Sequence, residues 1–474
     1  MSTGAASTLV VDLDDTLLRT DLLWEAISEL ARRKPLLLLL VPLVALGGRP
    51  RLKHWLARHV QLDWDALPLN DEVLAFVRAA KAQGRTVILA TAAVQPWATA
   101  IAERVGCFDS VIGTRQTNLS GSAKLEHLRR YLNGAPFDYI GDRGVDIPLW
   151  RAAERAYIVG DASRYERSLG KSFAGSFARP TARFRDWLSF LRLHHWSKNL
   201  LVLVPIALAH RLSDGSALLH AVLAAVLLSI VASALYIFND VVDLPSDRIH
   251  PRKRKRPLAR GAISLQSAWI ALTLSLLVGM IAAITLLPPE AFALLAVYGV
   301  GSAAYSLLLK RIALVDVLVL AGLYVLRLAI GGAATHTELS PWLLGFALLF
   351  FTSLALLKRH TEVIHLRAND APIELQRPYT ERDEPFLLAM GIGTAMAAVV
   401  ILILYLASDR VRTLYTHPDV LWLILPLMLW WLMRMWRASV RGELDGDPLS
   451  AALSDPWSLA VGAIIAAIVL VVAR

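Results

Sequence analysis

Hydrophobic and polar positions follow two different patterns along this chain. Up to about Ala182 the apolar runs are short and interrupted by charges, as in Leu9-Val10-Val11 and Val87-Ile88-Leu89-Ala90. Runs of that length and bulk suit buried strands. Beyond Trp196 nine apolar blocks follow: Asn199–His210, Ala217–Phe238, Gln266–Leu287, Ala291–Leu309, Ala313–Ala334, Pro341–Leu357, Phe386–Ala407, Val420–Met435 and Leu449–Ala473. Most approach the roughly 20 residues that a helix needs to cross a bilayer. The first is short and is expected to begin earlier, as an amphipathic lead-in from Trp187. The pattern predicts a soluble N-terminal domain and an all-α polytopic membrane domain of nine transmembrane helices, residues 191-474, joined by a linker over 166-190. Ser, Gly and Arg are frequent between Ala162 and Ala182, as expected of a tether.

Charge sharpens this division. Every second connection between blocks is basic: Arg248 to Arg260 holds seven Arg and Lys, and later connections carry Lys310 and Arg311, Lys358 and Arg359, and Arg434, Arg437 and Arg441. The positive-inside rule then places the N-terminal domain and the long loops in the cytoplasm and the C-terminus outside, in an inner (plasma) membrane. The net charge of +10 is accounted for by these loops facing anionic lipid, so nucleic acid is not an expected partner. Only 19% of the 474 residues are charged and the mean hydropathy is +0.50, which exclude a disordered chain. One cysteine, Cys107, excludes a disulfide framework and a Cys-based zinc site. The N-terminus runs directly into an apolar strand, so no cleavable signal peptide is expected. A homo-oligomer is compatible with the sequence.

The clearest chemistry in the membrane half lies at the end of the second block, Asn239-Asp240-Val241-Val242-Asp243-Leu244-Pro245-Ser246-Asp247-Arg248. On a continuous helix Asp240, Asp243 and Asp247 share one face. Three like charges at a membrane edge are costly unless a cation neutralises them, and hard oxygen donors suit Mg²⁺ bridging to substrate phosphates. Arg252, Lys253 and Arg256 follow directly and suit phosphate oxygens. Pro245 is expected to end or kink the helix, which would move Asp247 onto the loop.

This string resembles the first aspartate motif of the UbiA prenyltransferase superfamily, and the likeness extends over about Arg192 to Arg474. The resemblance implies a cytoplasmic Mg²⁺-diphosphate site on a nine-helix fold. The wider stretch Asn239 to Gly261 is most similar to the decaprenyl-phosphate phosphoribosyltransferase branch. His195-Trp196-x-Lys198-Asn199, Tyr305-Ser306-x-x-x-Lys310, Tyr324-x-x-Arg327 and Lys358-Arg359-x-x-Glu362 also match it. On that likeness Lys198, Asn199, Asn239, Arg248, Tyr305, Lys310, Arg327, Lys358 and Arg359 join the basic run as substrate-binding candidates. The partners it implies are an isoprenoid lipid phosphate and phosphoribosyl pyrophosphate, within the lipid bilayer. Aromatic prenyltransferases of the superfamily carry a second aspartate-rich motif; this chain has a single Asp316 there. His194 and His195 are expected to pack at the interface rather than to bind a ligand.

In the soluble half, Asp12-Leu13-Asp14-Asp15-Thr16 follows the first strand. Two carboxylates so spaced divide labour, Asp12 attacking phosphorus and Asp14 protonating the leaving oxygen. Thr91 after the second strand, Lys124 opening a helical stretch, and Gly141-Asp142-Arg143-Gly144-Val145-Asp146 complete four pieces in order. Together they resemble the haloacid dehalogenase-like (HAD) phosphatase superfamily. That likeness implies an α/β doubly wound parallel sheet over residues 1-165 with a helical cap at about 17-80. It also assigns phosphate holding to Thr91 and Lys124, and a second Mg²⁺ to Asp142 and Asp146 with Asp12 and Asp14. Asp15 and Asp21 read as ordinary polar residues. The eleven-residue run Leu36 to Leu46 is too short to span and reads either as an interfacial segment on anionic lipid or as a buried cap helix.

The expected activity is bifunctional: phosphoribosyl transfer from phosphoribosyl pyrophosphate to a polyprenyl phosphate, then dephosphorylation of the lipid-linked product by the HAD domain. The alternatives are a conventional prenyltransferase acting on an aromatic or lipid acceptor, and a polytopic transporter with a regulatory domain.

Overall fold

A computed structural model describes residues 8–115, 117–368, 378–444 and 447–472. Packing divides the chain into two compact units, one running to Phe190 and including Asp240–Ile270, the other comprising Leu191–Asn239 and the chain from Ala271 onward.

The first unit is built on six parallel strands: β1 (Thr8–Val11), β2 (Val87–Val94), β3 (Ser110–Thr114), β4 (Phe137–Gly141), β5 (Ala156–Val159) and β6 (Gly175–Phe177). Their order is β3-β2-β1-β4-β5-β6. β1 pairs with β2 (Val11 opposite Leu89) and with β4 (Val11 opposite Ile140). The topology therefore reverses at β1, which is where a doubly wound sheet opens a crevice beyond its strand carboxyl ends. Leu9, Val10 and Val11 are fully buried on both faces, the reason the run is apolar without alternation. The expected parallel sheet is present. The segment 166–190 is more structured than a tether, since it contributes β6 and the helix Phe184–Phe190.

Between β1 and β2 the chain makes helices Leu22–Arg33, Arg49–His59 and Asp71–Ala82. Asp21 caps the first by accepting from the Leu23 amide at 2.9 Å, and Arg32 and Arg33 close its last turn. The run around Leu36–Leu46 forms short turns, Pro35–Leu40 and Val41–Ala45. Leu37, Leu38, Val41 and Val44 pack on the core, whereas Leu36, Leu39, Leu43 and Leu46 are 65–86% exposed, which removes the reading of a fully buried cap helix. The Asp240–Ile270 segment packs on this same unit: the Trp269 indole donates to Ser28 Oγ at 3.0 Å, and Arg248 Nη2 lies 2.6 Å from Glu25 Oε1.

The second unit is helical. Among the described residues the whole chain has seven helices long and apolar enough to cross a membrane: Gly215–Val242, Leu265–Leu286, Pro289–Leu307, Val315–Ala334, Pro341–His365, Glu381–Leu406 and Pro418–Val440. Pro448–Ser454 and Pro456–Val472 make an eighth if counted as one span bent by 85°. The expected nine are not reached. Asn199–His210 falls instead in 3₁₀ turns (Leu193–Leu203) and a short helix (Val204–Leu208). Pro456 breaks the last block, because a proline disfavours helical backbone in the residue before it. Outward-facing Leu274, Leu277, Val278, Ile281 and Ile284 on Leu265–Leu286 are 53–62% exposed, a surface suited to lipid rather than water.

Helices in this unit meet through small residues. A Cβ at Gly331 would be driven into the backbone carbonyl of Val202, where no flexible side chain can yield. Gly331→Ala is therefore expected to destabilise the detergent-solubilised protein by about 1–3 kcal/mol, as overpacking does. Thermal unfolding measured beside the wild type checks this.

Candidate functional sites

The soluble centre assembles at the carboxyl ends of β1 and β4. Asp12 closes β1, and its Oδ1 accepts from the Leu13 amide at 2.8 Å and pairs with Lys124 Nζ at 3.0 Å. Asp142 and Asp146 follow β4, and carboxylate oxygens of Asp12, Asp142 and Asp146 lie within 4.8 Å of one another, all buried. Among the described residues this is the one group of three acidic or metal-ligating side chains so close. Gly141 makes room for it, since a Cβ there would sit 2.7 Å from Asp146 Oδ2. Asp146 is held by the amides of Asp142 and Arg143 (3.2 and 3.3 Å) and by the Tyr139 hydroxyl, which donates at 2.9 Å. Lys124 Nζ also donates to that hydroxyl at 3.1 Å, so one buried cation touches both ends of the site. Thr91 is fully buried on β2, beside β1, with Oγ1 accepting from the Ala93 amide at 3.0 Å.

Asp14 is placed differently. Its Oδ1 accepts from the Leu22 amide at 2.9 Å, at the start of the first cap helix. Burial, reinforced by the neighbouring Asp21, pushes its carboxyl well above the usual range. A carboxyl shifted in that direction suits the general-acid role. Burial also raises Asp142, to about 7, despite Arg143 beside it. Three buried carboxylates with hard oxygen donors fit a divalent cation such as Mg²⁺, which would remove this repulsion.

Several participants were not legible in the motifs. Asp15, with a left-handed backbone (φ +55°), ties down Arg143 at 2.7 Å and Arg179 at 3.2 Å. Arg179 also reaches Asp142 at 3.1 Å. Lys53, from the cap, is buried, donates to the Ala92 carbonyl at 2.6 Å, and acts electrostatically on Asp14 and Asp21. Arg179 carries no local signal, because it lies beyond β6 and comes to the site only through the sheet order.

The second acidic set lies where Gly215–Val242 gives way to the short helix Leu244–Ile249. Arg256 Nη1 bridges two of its members, 3.2 Å from Asp240 Oδ1 and 2.6 Å from Asp247 Oδ2. Asp247 is buried, which raises its carboxyl, with Arg256 and Lys253 opposing. Its Oδ1 makes no hydrogen bond among the described residues, although Lys253 Nζ is 3.9 Å away. Asp243 is half-buried at the break itself, and Pro245 sits in the first turn of the following short helix. Asp247 therefore lies on that helix rather than on the expected loop, because a proline is tolerated in a helix's first turn. A buried carboxylate oxygen without a hydrogen bond, beside further carboxylates, is a donor set that fits a divalent cation such as Mg²⁺. Arg252 is exposed.

The remaining candidates belong to the helical unit and fall into four groups. Lys198 and Lys358 converge on Asp447, at 2.6 and 3.5 Å, and hold that carboxylate below its usual range against the opposing effect of burial. Asp447 was not singled out from the sequence. Arg327, deep within Val315–Ala334, donates to Asn199 Oδ1 (3.0 Å), the Tyr298 hydroxyl (2.9 Å) and the Leu323 carbonyl (2.6 Å), between the rings of Tyr298 and Tyr324. Arg359, fully buried, pairs with Asp316 at 2.7 Å and Glu362 at 2.5 Å and donates to the Tyr305 hydroxyl at 2.9 Å. Lys310 Nζ lies 3.5 Å from Asn239 Oδ1. His195 stacks near His194 and Tyr236, as interfacial packing implies.

An acidic, lysine-gated pocket on a doubly wound sheet and a helical part with seven or eight candidate spans define a multi-pass membrane protein bearing a phosphatase-like domain. The chain belongs to the UbiA prenyltransferase family, whose model matches residues 200–453. The haloacid dehalogenase-like hydrolase model matches residues 44–151. An uncharacterized protein of Sinorhizobium fredii is 38% identical over 97% of this chain and 89% of its own length. The nodulation protein NoeC of Azorhizobium caulinodans is 32% identical over 58% of this chain and 89% of its own. Decaprenyl-phosphate phosphoribosyltransferase of Mycobacterium tuberculosis is 31% identical over 58% and 93% respectively. The family and the sheet together support a transferase joined to a phosphatase.

The raised Asp142 sets a pH signature. Its ionisation costs stability as pH rises from the ordinary carboxylate range toward 7, so the metal-free protein is expected to melt progressively lower between about pH 4 and 7. Saturating Mg²⁺ is expected to flatten that fall, with a larger thermal shift at pH 8 than at pH 6. Asp142→Asn is expected to reduce both effects without removing the contributions of Asp14 and Asp247, as read by thermal unfolding with and without a chelator.

Proposed function

We propose that the membrane part transfers a 5-phosphoribosyl group from phosphoribosyl pyrophosphate to a polyprenyl phosphate, and that the soluble centre then removes the 5-phosphate. In the first step a lipid phosphate oxygen attacks the anomeric carbon while the bond to pyrophosphate breaks. In the second, an Asp12 oxygen attacks phosphorus, the bond to the ribose C5 oxygen breaks, and Asp14 protonates that oxygen. Water then cleaves the aspartyl-phosphate and releases inorganic phosphate. Lys124 steers the phosphoryl group and offsets the charge on Asp12. Mg²⁺, held by Asp240, Asp243 and Asp247 and, in the soluble centre, by Asp12, Asp14, Asp142 and Asp146, would supply charge neutralisation on the phosphates. Asp14 joins that set only at the edge, since its geometry suits the acid role better.

The observation that carries the transfer reading is the fate of Asp316. It is fully buried, paired with Arg359 and bonded by the Tyr379 hydroxyl at 2.5 Å, so it offers no second carboxylate motif for an allylic diphosphate. That disfavours a conventional aromatic prenyltransferase and suits a donor bringing its own phosphates to lysines and arginines. Likeness to the mycobacterial phosphoribosyltransferase over nearly its whole length supports the same choice. Lys198, Asn199, Asn239, Arg248, Arg252, Lys253, Arg256, Tyr305, Lys310, Arg327, Lys358 and Arg359 are the proposed substrate-side residues. For Arg327 and Arg359 the bonds described above imply that they position neighbours more than they grip phosphate.

The alternation of basic loops supports a cytoplasmic N-terminal domain in the inner membrane with the C-terminus outside, Leu193–Leu208 completing a ninth crossing. The exposed leucines of 36–46, flanked by Arg32, Arg33, Lys34, Arg49 and Arg51, would rest on the anionic leaflet.

Membranes supplied with labelled phosphoribosyl pyrophosphate and polyprenyl phosphate test both steps. Asp240→Asn is expected to lower transfer at least a hundredfold while the protein stays inserted; near-normal turnover at saturating Mg²⁺ would refute the assignment. Asp12→Asn is expected to leave transfer intact and to accumulate lipid-linked phosphoribose. Wild-type phosphate release from that variant would show the sequential scheme to be wrong.

A further inference from the structure

Next to the soluble centre, within the first unit, lies a cavity of about 640 Å³. That volume falls within the roughly 300–1,000 Å³ of small-molecule sites and far exceeds what one phosphate needs. One side is the soluble centre itself: Asp142 of the acidic cluster lines the cavity, with Asp15, Arg143 and Arg179. The other side is Arg248 with the stretch Leu258–Ser267, which follows the aspartate motif of the family domain and opens the span Leu265–Leu286. Gly261 (φ +76°) turns that stretch where a Cβ would lie 3.9 Å from the Arg19 carbonyl.

Six of the described lining residues are arginines and three are aspartates. Arg19, Arg248 and Arg260 also pair with acids outside the lining (Asp71, Glu25 and Asp186), so what the cavity offers an anion is an excess of guanidinium N–H donors rather than a large net charge. The aspartates do not consume the arginines evenly. Asp15 and Asp142 draw in Arg143 and Arg179, at the cluster end. Arg164 lies with Tyr165, and Arg248, whose Nη2 is held by Glu25, has its Nε buried without a hydrogen-bond partner among the described residues. Guanidinium donors are therefore provided at two places, at the acidic cluster and on the Arg164, Arg248 and Arg260 side. A phosphate monoester bound at the cluster would account for only the first.

We propose that this cavity is the substrate chamber of the phosphatase centre, that Arg248 and Leu258–Ser267 form its selecting wall, and that it takes a sugar phosphate carrying a second anionic group across the sugar. Only the identity of that sugar compound rests on the function proposed above. A phosphoribose joined through a phosphodiester to lipid has this chemistry, and so has a soluble sugar bisphosphate. The wall is contributed by the family domain's own loop, so the phosphatase half alone would lack its selectivity.

The test uses the full-length protein in detergent with Mg²⁺ and follows phosphate release from three probes: a short-chain polyprenyl phosphoryl-5-phosphoribose, ribose 1,5-bisphosphate and ribose 5-phosphate. Arg260→Glu and, separately, Arg164→Glu are expected to raise KM about tenfold or more for a probe with two anionic groups, with kcat within about twofold. KM for ribose 5-phosphate is expected to rise less than about threefold. Two variants are used because Arg260 also pairs with Asp186. An equal loss on all three probes in both variants, or no loss on either doubly anionic probe, would overturn the proposal. If the wild type hydrolyses the bisphosphate with this arginine dependence but leaves the lipid-linked probe intact, the chamber stands and the sequential scheme falls.

Discussion

Buried carboxylates and the cations that answer them organise both units of this protein. Taking a charge out of water costs several kcal/mol unless a partner lies within a few ångströms. At Asp316 the charge is answered, since Arg359 pairs with one oxygen at 2.7 Å and the Tyr379 hydroxyl donates to the other. At Asp447 two lysines converge on one carboxylate and keep it ionised. At Asp12, Asp142 and Asp146 the answer is incomplete: Lys124 and the neighbouring arginines meet part of the charge, and burial still raises Asp142 to about 7. The difference separates structural ion pairs from a site that needs something more.

The same criterion ranks the basic candidates. Arg327 and Arg359 are rich in protein partners and brace helices against one another, Arg327 joining Asn199 to Tyr298 and Arg359 joining Asp316 to Glu362. Arg256 is intermediate, because it lies between Asp240 and Asp247 while Asp247 Oδ1 remains without a hydrogen bond. The Arg256 guanidinium bridges the two carboxylates at 3.2 and 2.6 Å.

Joining these activities in one chain has a thermodynamic rationale. In the proposed scheme the transferred product still carries a phosphate, and removing it by hydrolysis would make the preceding step effectively one-way. Covalent linkage keeps the second site at an effective concentration of roughly millimolar for a short flexible connection. The helix Phe184–Phe190 and strand β6 make this connection stiffer than its composition suggests, and Arg179, next to β6, is recruited to the soluble centre.

Much of this was readable from the chain itself, where the chemistry is local. Asp12 and Asp14 lie two residues apart, Asp142 and Asp146 four apart, and Asp240, Asp243 and Asp247 at helical spacing, so each group's proximity is a property of one short segment. The apolar blocks likewise reveal a membrane domain, because the bilayer demands length and hydrophobicity from every span separately. What the sequence could not determine are pairings across long separations. Arg179 meets Asp15 and Asp142 only because β6 extends the sheet; Lys198 meets Asp447 across 249 residues. Why two of the nine expected blocks are not single regular helices has a related reason: apolarity over Asn199–His210 and Leu449–Ala473 reports burial or lipid contact, whereas the 3₁₀ turns of one and the 85° bend of the other are decided by neighbouring helices and by Pro456. Local spacing determined which residues could do chemistry, and tertiary packing decided which of them are left with charge unanswered.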